Sequence, residues 1–306
     1  MSRRASARNV HGILLLDKPQ GLTSNRALQR VRGLFQARKA GHTGSLDPLA
    51  TGMLPICLGE ATKVSGFLLD ADKEYQVSIR LGQTTTTGDA EGETVSIRPL
   101  PDLSMTGLTQ TLQRFVGGID QIPPMYSALK RDGQPLYRLA RQGIAVERAP
   151  RRVIIESVVL HRFDGQELAL TVRCSKGTYI RSLAVDIGEL LGCGAHVTVL
   201  RRSAVAGFDG ASMVTLEQLE QQAASGGLDA LDRWLLPMDS GLAHWPDIHL
   251  SAEGSFIVRR GQAVLAMASP VPGPGWVRLY GAEAGFLGLG QMLGDGRVAP
   301  KRLFNL

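Results

Sequence analysis

One carboxylate stands in the middle of a glycine-rich string, Gly41-His42-Thr43-Gly44-Ser45-Leu46-Asp47-Pro48-Leu49-Ala50-Thr51-Gly52. Pro48 turns Asp47 away from helical ψ, which puts the acid on extended or turn backbone. Gly41, Gly44 and Gly52 permit positive φ or the close approach of another chain. A carboxylate shown on such a loop can act as a nucleophile, and catalytic groups gather on shaped loops. The same residue types also build an ordinary turn in which Asp47 is only a cap. Metal chemistry finds little support, because no C-x-x-C, H-x-x-x-H or H-E-x-x-H spacing occurs. Cys57, Cys174 and Cys193 are few, odd in number and far apart. They argue against a disulfide framework and for a reducing cytoplasm.

Other strings share the chemistry-bearing character of the first. They are Lys18-Pro19-Gln20-Gly21-Leu22-Thr23-Ser24, Leu54 to Lys63, Lys73-Glu74-Tyr75, Ser175 to Leu183 and His196 to Arg202. Taken together and in this order, they resemble the motifs of the TruB family of tRNA pseudouridine synthases. The resemblance runs from about Gly12 to at least Phe208.

That resemblance implies a function and roles. The family isomerises a uridine of the tRNA T loop, position 55 in tRNA terms, to pseudouridine. It implies Asp47 as the catalytic acid and Arg181 as its partner, an Arg that keeps a buried carboxylate ionised by lowering its pKa and can orient it through a bidentate pair. Tyr75 and Tyr179 would flank the flipped uracil, with the Tyr75 hydroxyl available to shuttle a proton, and Leu200 would pack against the base. His42 would contact RNA and help to hold the splayed loop. The base must be detached, turned and rejoined through carbon. A carboxylate serves this either by a covalent adduct or by promoting loss of the ribose 2′ proton, and both routes stay open. No cofactor or metal is expected, since nothing is oxidised or hydrolysed. Lys18 and Thr23 are explained as turn and helix cap. Arg201-Arg202, Arg151-Arg152, Arg259-Arg260 and Lys301-Arg302 are candidate phosphate contacts.

Composition agrees without deciding. The chain has 306 residues, 43% of them hydrophobic and 20% charged, as in ordinary globular proteins. A net charge of +6 and a pI near 9.5 suit a polyanionic partner; the resemblance implies that this partner is the T arm of tRNA. No apolar run reaches the roughly 18 residues of a membrane span. The basic start, Met1 to Arg8, is followed by too short an apolar stretch for a secretory leader, and reads as a frayed tail that can touch RNA. No membrane association and no obligate protein partner are expected, and the cytoplasm is the expected location.

The elements that must position these residues follow from periodicity. Gly12–Asp17 reads as a buried strand. A helix capped by Thr23 or Ser24 runs to about Leu34. Glu60–Leu69 reads as helix, Glu74–Leu81 as an alternating strand, and Gly82–Gly92 as a Thr-rich polar loop. Thr106–Phe115 reads as helix. Ile119–Arg148, with Pro123-Pro124, Gly133 and five basic side chains, reads as a mobile basic insertion outside the core. Pro135–Arg141 within it suits a short helix with Pro at its first position. Val153–Phe163 and Glu167–Cys174 form a hairpin across Asp164-Gly165. Tyr179–Leu191 reads as a helix closed by Gly192, Val197–Leu200 as a strand and Leu216–Ala224 as a helix. From about Trp245, short apolar runs alternate with turns such as Pro270–Gly275, which suggests a small barrel. The resemblance places a PUA-type RNA-binding domain there.

The expected architecture is therefore α+β. A mixed, mainly antiparallel sheet flanked by helices, the pseudouridine synthase fold, occupies residues 1–244, and a β-rich PUA-like domain occupies residues 245–306. Deletion from Trp245 onward is expected to weaken RNA binding without removing chemistry. Three rivals remain. A tRNA-folding factor needs no paired carboxylate. A base-releasing glycosidase uses two carboxylates. A guide-RNA-dependent synthase would lack the thumb-like basic insertion.

Overall fold

A computed structural model describes residues 7–131, 133–208, 210–266, 274–282 and 285–305. The first half holds β1 (Gly12–Lys18), α1 (Ser24–Leu34), β2 (Ala40–His42), β3 (Thr51–Leu58), a 3-10 turn (Gly59–Lys63), α2 (Ser65–Leu69), β4 (Lys73–Leu81), β5 (Gln83–Thr85), β6 (Thr94–Ile97), α3 (Met105–Gln113), β7 (Gly117–Gln121), β8 (Lys130–Arg131), β9 (Gln134–Pro135) and α4 (Leu136–Arg141). The second holds β10 (Arg151–Phe163), β11 (Glu167–Cys174), α5 (Ile180–Leu190), β12 (Ala195–Val205), β13 (Val214–Thr215), α6 (Leu216–Asp232), β14 (Asp247–Leu250), α7 (Ala252–Arg259), β15 (Val264–Leu265), β16 (Trp276–Gly281), β17 (Gly285–Met292) and β18 (Arg297–Leu303).

Nine strands form one sheet in the order β13-β1-β3-β12-β4-β11-β10-β7, with β2 paired to β3. All pairings are antiparallel except β1–β13 and β12–β3. The sheet is thus mixed and mainly antiparallel, as the sequence implies. The alternation Lys73, Tyr75, Val77, Ile79, Leu81 puts every second residue of β4 inside, because side chains of a strand alternate between faces. Against that face pack α1, through Ala27, Leu28 and Val31, and α5, through Leu183, Ala184 and Ile187. Thr23 caps α1 by accepting from the Arg26 amide at 3.2 Å, so the expected cap is present.

Three segments depart from the sequence reading. Glu60–Leu69 is a 3-10 turn followed by a short helix. Part of the Thr-rich loop is strand: β5 pairs with β6, which lies just beyond the loop, as a ribbon. Ile119–Gln121, expected in a mobile insertion, belongs to the main sheet, because β7 pairs with β10 from Gly117 to Gln121. Gly117 and Gly118 have no side chain to announce a strand. Two further pieces of the insertion have regular structure: β8 pairs with β9, and α4 follows with Leu136 buried. Residues 1–6 of the basic tail and 270–273 of the expected turn lie outside the described residues. Arg8 is docked rather than frayed: it donates to the Phe35 carbonyl at 3.0 Å and pairs with Asp232.

Five strands form the second sheet, β14-β16-β17-β18-β15. Its core comprises Ile248, Val258, Val277, Leu279 and Val298. A separate cluster joins it to the first half: Ile13, Leu15, Met53 and Leu68 share it with Leu289 and Phe304. There Phe67 meets Trp245 and Trp276 edge-on at centroid distances of 5.0 and 4.8 Å. Removing residues 245–306 would expose this cluster, so loss of stability is expected from that truncation besides loss of RNA affinity. Phe304, 3% exposed, offers a cleaner probe. Phe304→Ala is expected to cost about 3–5 kcal/mol, read as a lower unfolding midpoint; an unchanged midpoint would mean that the two sheets do not stabilise each other.

Candidate active site

Asp47 owes its position to the string before α1. The Ser24 hydroxyl donates to the Leu46 carbonyl at 3.0 Å and accepts from the Leu46 amide at 2.7 Å. The Gly21 amide donates to the Pro48 carbonyl at 2.8 Å, and the Ala50 amide to the Asp47 carbonyl at 3.1 Å. The Lys18–Ser24 string therefore clamps the residues on both sides of Asp47. Lys18 is fully buried and donates to the Pro19 and Leu22 carbonyls at 2.8 and 2.7 Å. Burial pushes its ammonium down to about 8, against the pull of the Asp47 and Glu91 carboxylates. Gly44 and Gly52 have φ of +91° and +96°, which favour glycine. A Cβ on Gly52 would lie 2.3 Å from the Arg202 carbonyl oxygen. Gly41 needs no such freedom; it is an ordinary residue of β2.

Arg181, in the first turn of α5, brings its guanidinium to Asp47, Nη2 to Oδ2, at 2.8 Å. The Arg side chain is 5% exposed and the Asp side chain 41%. Nη1 also donates to the Thr87 carbonyl at 3.0 Å and Nη2 to the Tyr126 carbonyl at 2.7 Å. Behind it stands a second, buried carboxylate, Asp89, with Oδ2 3.6 Å from Arg181 Nε. Asp89 accepts from the Thr87 hydroxyl and from the Glu91 amide, and its neighbours bridge to Val197 of β12. One guanidinium thus faces two acids. The balance on Asp47 differs from the simple expectation. Crowding by protein atoms raises its carboxyl above the ordinary value, Arg181 pulls it down, and Asp89 adds to the rise. The net shift is upward, while the exposed side of the carboxylate opens into the cavity.

That cavity has a volume of about 610 Å³ and is lined by Asp47, Tyr75, Tyr179, Arg181 and Leu200, together with Ser127, Arg151 and Arg202. Five of the six expected site residues are therefore together. Tyr75 is buried on β4, and burial pushes its hydroxyl up, with Arg202 opposing. Tyr179 precedes α5 and is half-buried; burial raises its hydroxyl also, with Ser127 opposing. Both phenols are neutral donors at neutral pH. Leu200, 7% exposed, supplies an apolar wall. His42 is not among the lining residues. It lies on β2 opposite Ile56, its Nδ1 buried without a hydrogen-bond partner, and burial together with Arg202 lowers its pKa.

Arg201-Arg202 are not the free phosphate contacts that the sequence suggested. Arg201 makes a bidentate pair with Asp17 at 2.9 and 2.7 Å. Arg202 is buried and donates to the Met53 carbonyl at 2.7 Å and the Gly44 carbonyl at 3.1 Å. The alternation of β12 turns it inward, where it braces the loop that carries Asp47. Arg151 lines the cavity. Arg152 is exposed and 3.4 Å from Asp120. Arg260 covers the ring of exposed Phe256 at 4.3 Å, and Lys301 and Arg302 line an open groove with Lys63. Among the described residues, no group of three or more His, Cys, Asp or Glu could hold a metal ion.

The arrangement suits a reaction on one planar, uncharged ring: two aromatic hydroxyls, an apolar wall and one anchored carboxylate. Comparison with known proteins agrees. Residues 32–180 match the family described as TruB family pseudouridylate synthase (N terminal domain). Residues 181–243 match the tRNA pseudouridylate synthase B C-terminal domain, and residues 246–304 match Pseudouridine synthase II TruB, C-terminal. A tRNA pseudouridine synthase B from Nitrosococcus oceani is 54% identical over 301 residues, 98% of this chain and 97% of the relative. One from Pseudomonas putida is 56% identical over 296 residues, 97% and 96% of the two chains. Among solved structures, that of a Cbf5-Nop10-Gar1 complex matches 96% of this chain and 85% of its own with a TM-score of 0.75 and 26% identity. The fold is the pseudouridine synthase fold with a PUA-like C-terminal sheet, and the chain belongs to the TruB family of pseudouridylate synthases.

Proposed function

We propose that this protein converts the T-loop uridine at position 55 of tRNA to pseudouridine, with Asp47 as the catalytic carboxylate acting on an extruded nucleotide. The observation that carries the reading is the Asp47–Arg181 pair in a cavity flanked by Tyr75 and Tyr179. The relatives' name, tRNA pseudouridine synthase B, supplies the class of RNA. A loop uracil must leave its stack to reach such a cavity. Stacking on the two tyrosines offsets that cost by roughly 1–3 kcal/mol per base. Asp47, ionised and held by Arg181, engages the ribose. The N1–C1′ bond breaks, the ring turns against Leu200, and C5 bonds to C1′. The proton leaving C5 balances the one that N1 gains, so nothing is released. Arg181 keeps its guanidinium between Asp47 and Asp89 throughout. His42, just before the loop, is assigned to RNA contact outside the cavity. In this reading residues 245–306 are an RNA-binding domain, and the work is done in the cytoplasm. The test is a pair of tRNA transcripts, one with uridine and one with cytidine at the T-loop position. Pseudouridine is expected only in the first, and an equal yield of pseudouridine elsewhere in the second would overturn the positional claim.

The insertion supplies phosphate contacts. Lys130 and Arg138 are exposed, whereas Arg131 is engaged with the Glu147 carbonyl at 2.9 Å. Each phosphate contact adds about 0.7–0.9 to the slope of log affinity against log salt. Replacing Lys130 and Arg138 with Ala is expected to weaken RNA binding and flatten that slope by roughly 1.4–1.8. An unchanged slope would place the RNA elsewhere.

A further inference from the structure

We infer that Gln121 is a positioning residue for this reaction: its amide sets the backbone of Tyr179 and, through it, the direction from which Arg181 reaches Asp47. The inference rests on the proposed roles of Asp47 and Arg181. Gln121 ends edge strand β7 and is 1% exposed. Its Oε1 accepts from the Tyr179 amide at 3.0 Å, and its Nε2 donates to the Tyr179 carbonyl at 3.3 Å. Both polar groups of one residue are therefore held by one side chain, which restricts φ and ψ together. The amide orientation is dictated, since a reversed amide would set donor against donor and acceptor against acceptor.

Tyr179 needs this support. It is the N-cap of α5 and offers no side-chain cap of its own, so its helix end lacks the usual local partner. Its carbonyl also accepts the first helical bond, from the Leu183 amide at 3.0 Å. The clamp thus fixes the start of the helix whose second residue is Arg181. Two bonds from the same strap continue the hold: the Ser182 hydroxyl donates to the Ile122 carbonyl at 2.9 Å, and Arg181 donates to the Tyr126 carbonyl. The Leu183–Tyr179, Ser182–Ile122 and Arg181–Tyr126 bonds do not use the Gln121 side chain, so a substitution of Gln121 does not remove their donors or acceptors. Gln121 is the side chain of this segment that holds the Tyr179 backbone, and among the described residues no other group accepts from the Tyr179 amide.

The test uses the full chain, a T-arm stem-loop, and single-turnover rates at saturating RNA across pH. Gln121→Leu, close in volume, removes both bonds; Gln121→Glu keeps the acceptor for the Tyr179 amide and loses the donor. The rate is expected to fall at least about tenfold in Gln121→Leu and less in Gln121→Glu, with RNA affinity within about threefold of the parent. The acid limb of the rate in Gln121→Leu should also move to higher pH, because a displaced Arg181 no longer pulls the Asp47 carboxyl down. General destabilisation would lower the active fraction and leave that limb in place. A folded Gln121→Leu with a rate within twofold of the parent and an unmoved limb would overturn the inference. If Gln121→Leu does not fold, Gln121→Glu carries the same two readouts, and parent-like values in it overturn the inference. Asp47→Asn run alongside separates the two ideas: if it turns over, the underlying reading of the site fails instead.

Discussion

Asp47→Asn is expected to abolish pseudouridine formation, with a rate below one hundredth of the parent, while RNA still binds. The amide has the size of the carboxylate and fits the same floor of the cavity, so Ser24 and Gly21 go on holding the loop. What disappears is the anion proposed to attack the ribose or take its proton. A hundredfold loss corresponds to about 2.7 kcal/mol of transition-state stabilisation, a minimum for removing the only group in the cavity assigned a covalent or basic role. Binding is expected to survive because the proposed RNA contacts are spread over exposed cations such as Lys130 and Arg138 and over the C-terminal sheet. Turnover by the Asn variant above that hundredth would transfer the chemistry to another residue.

Arg181→Met is expected to have the next largest effect, and it has a pH signature. The guanidinium lies 2.8 Å from Asp47 and 3.6 Å from Asp89. Without it Asp89, itself 3% exposed, loses its cation. Breaking such a pair costs about 3–5 kcal/mol, nearer the lower figure here because the Thr87 hydroxyl and Glu91 amide still bond to Asp89. The Asp47 carboxyl, already raised by burial, rises further without the pull of the guanidinium. Because the ionised form is the one proposed to react, the acid limb of the rate is expected to move to higher pH. Stability moves the other way. A carboxyl raised on folding holds its proton more firmly folded than unfolded. Its contribution is therefore greatest below the unfolded value near 4 and is lost as pH rises through the raised folded value. The variant should recover part of its lost stability on acidification. A limb at the parent's position would separate Arg181 from the ionisation of Asp47.

Sequence patterns reach some of this geometry and not the rest, for physical reasons. The Gly41–Gly52 string carries its own explanation, since Gly44 and Gly52 adopt the positive φ that their type allows. Periodicity finds α1, β4 and the β10–β11 hairpin because each buries one face. Asp89 escapes it: inside Thr85-Thr86-Thr87-Gly88-Asp89 it resembles a turn residue, and its role comes from a bridge to Val197 more than a hundred positions away. Arg202 misleads in the opposite way, as a paired arginine suggests a wet surface until the register of β12 turns it inward. Ser24 is legible as a cap candidate, yet its second task, gripping the Asp47 loop through Leu46, depends on contacts between segments about twenty positions apart. Gln121 carries no signal at all in sequence, because its partner is a backbone.

Isomerisation differs from base release in conserving the mass of the RNA, and from binding alone in leaving pseudouridine behind. The most direct measurement is therefore an unmodified T-arm stem-loop incubated with purified protein in chelator, followed by intact mass and by chemical mapping of pseudouridine. An unchanged mass with pseudouridine at the single T-loop position is the result that Asp47, Arg181 and the two tyrosines predict. Loss of uracil from the RNA, a requirement for a specific metal, or RNA that is bound but wholly unmodified would contradict it.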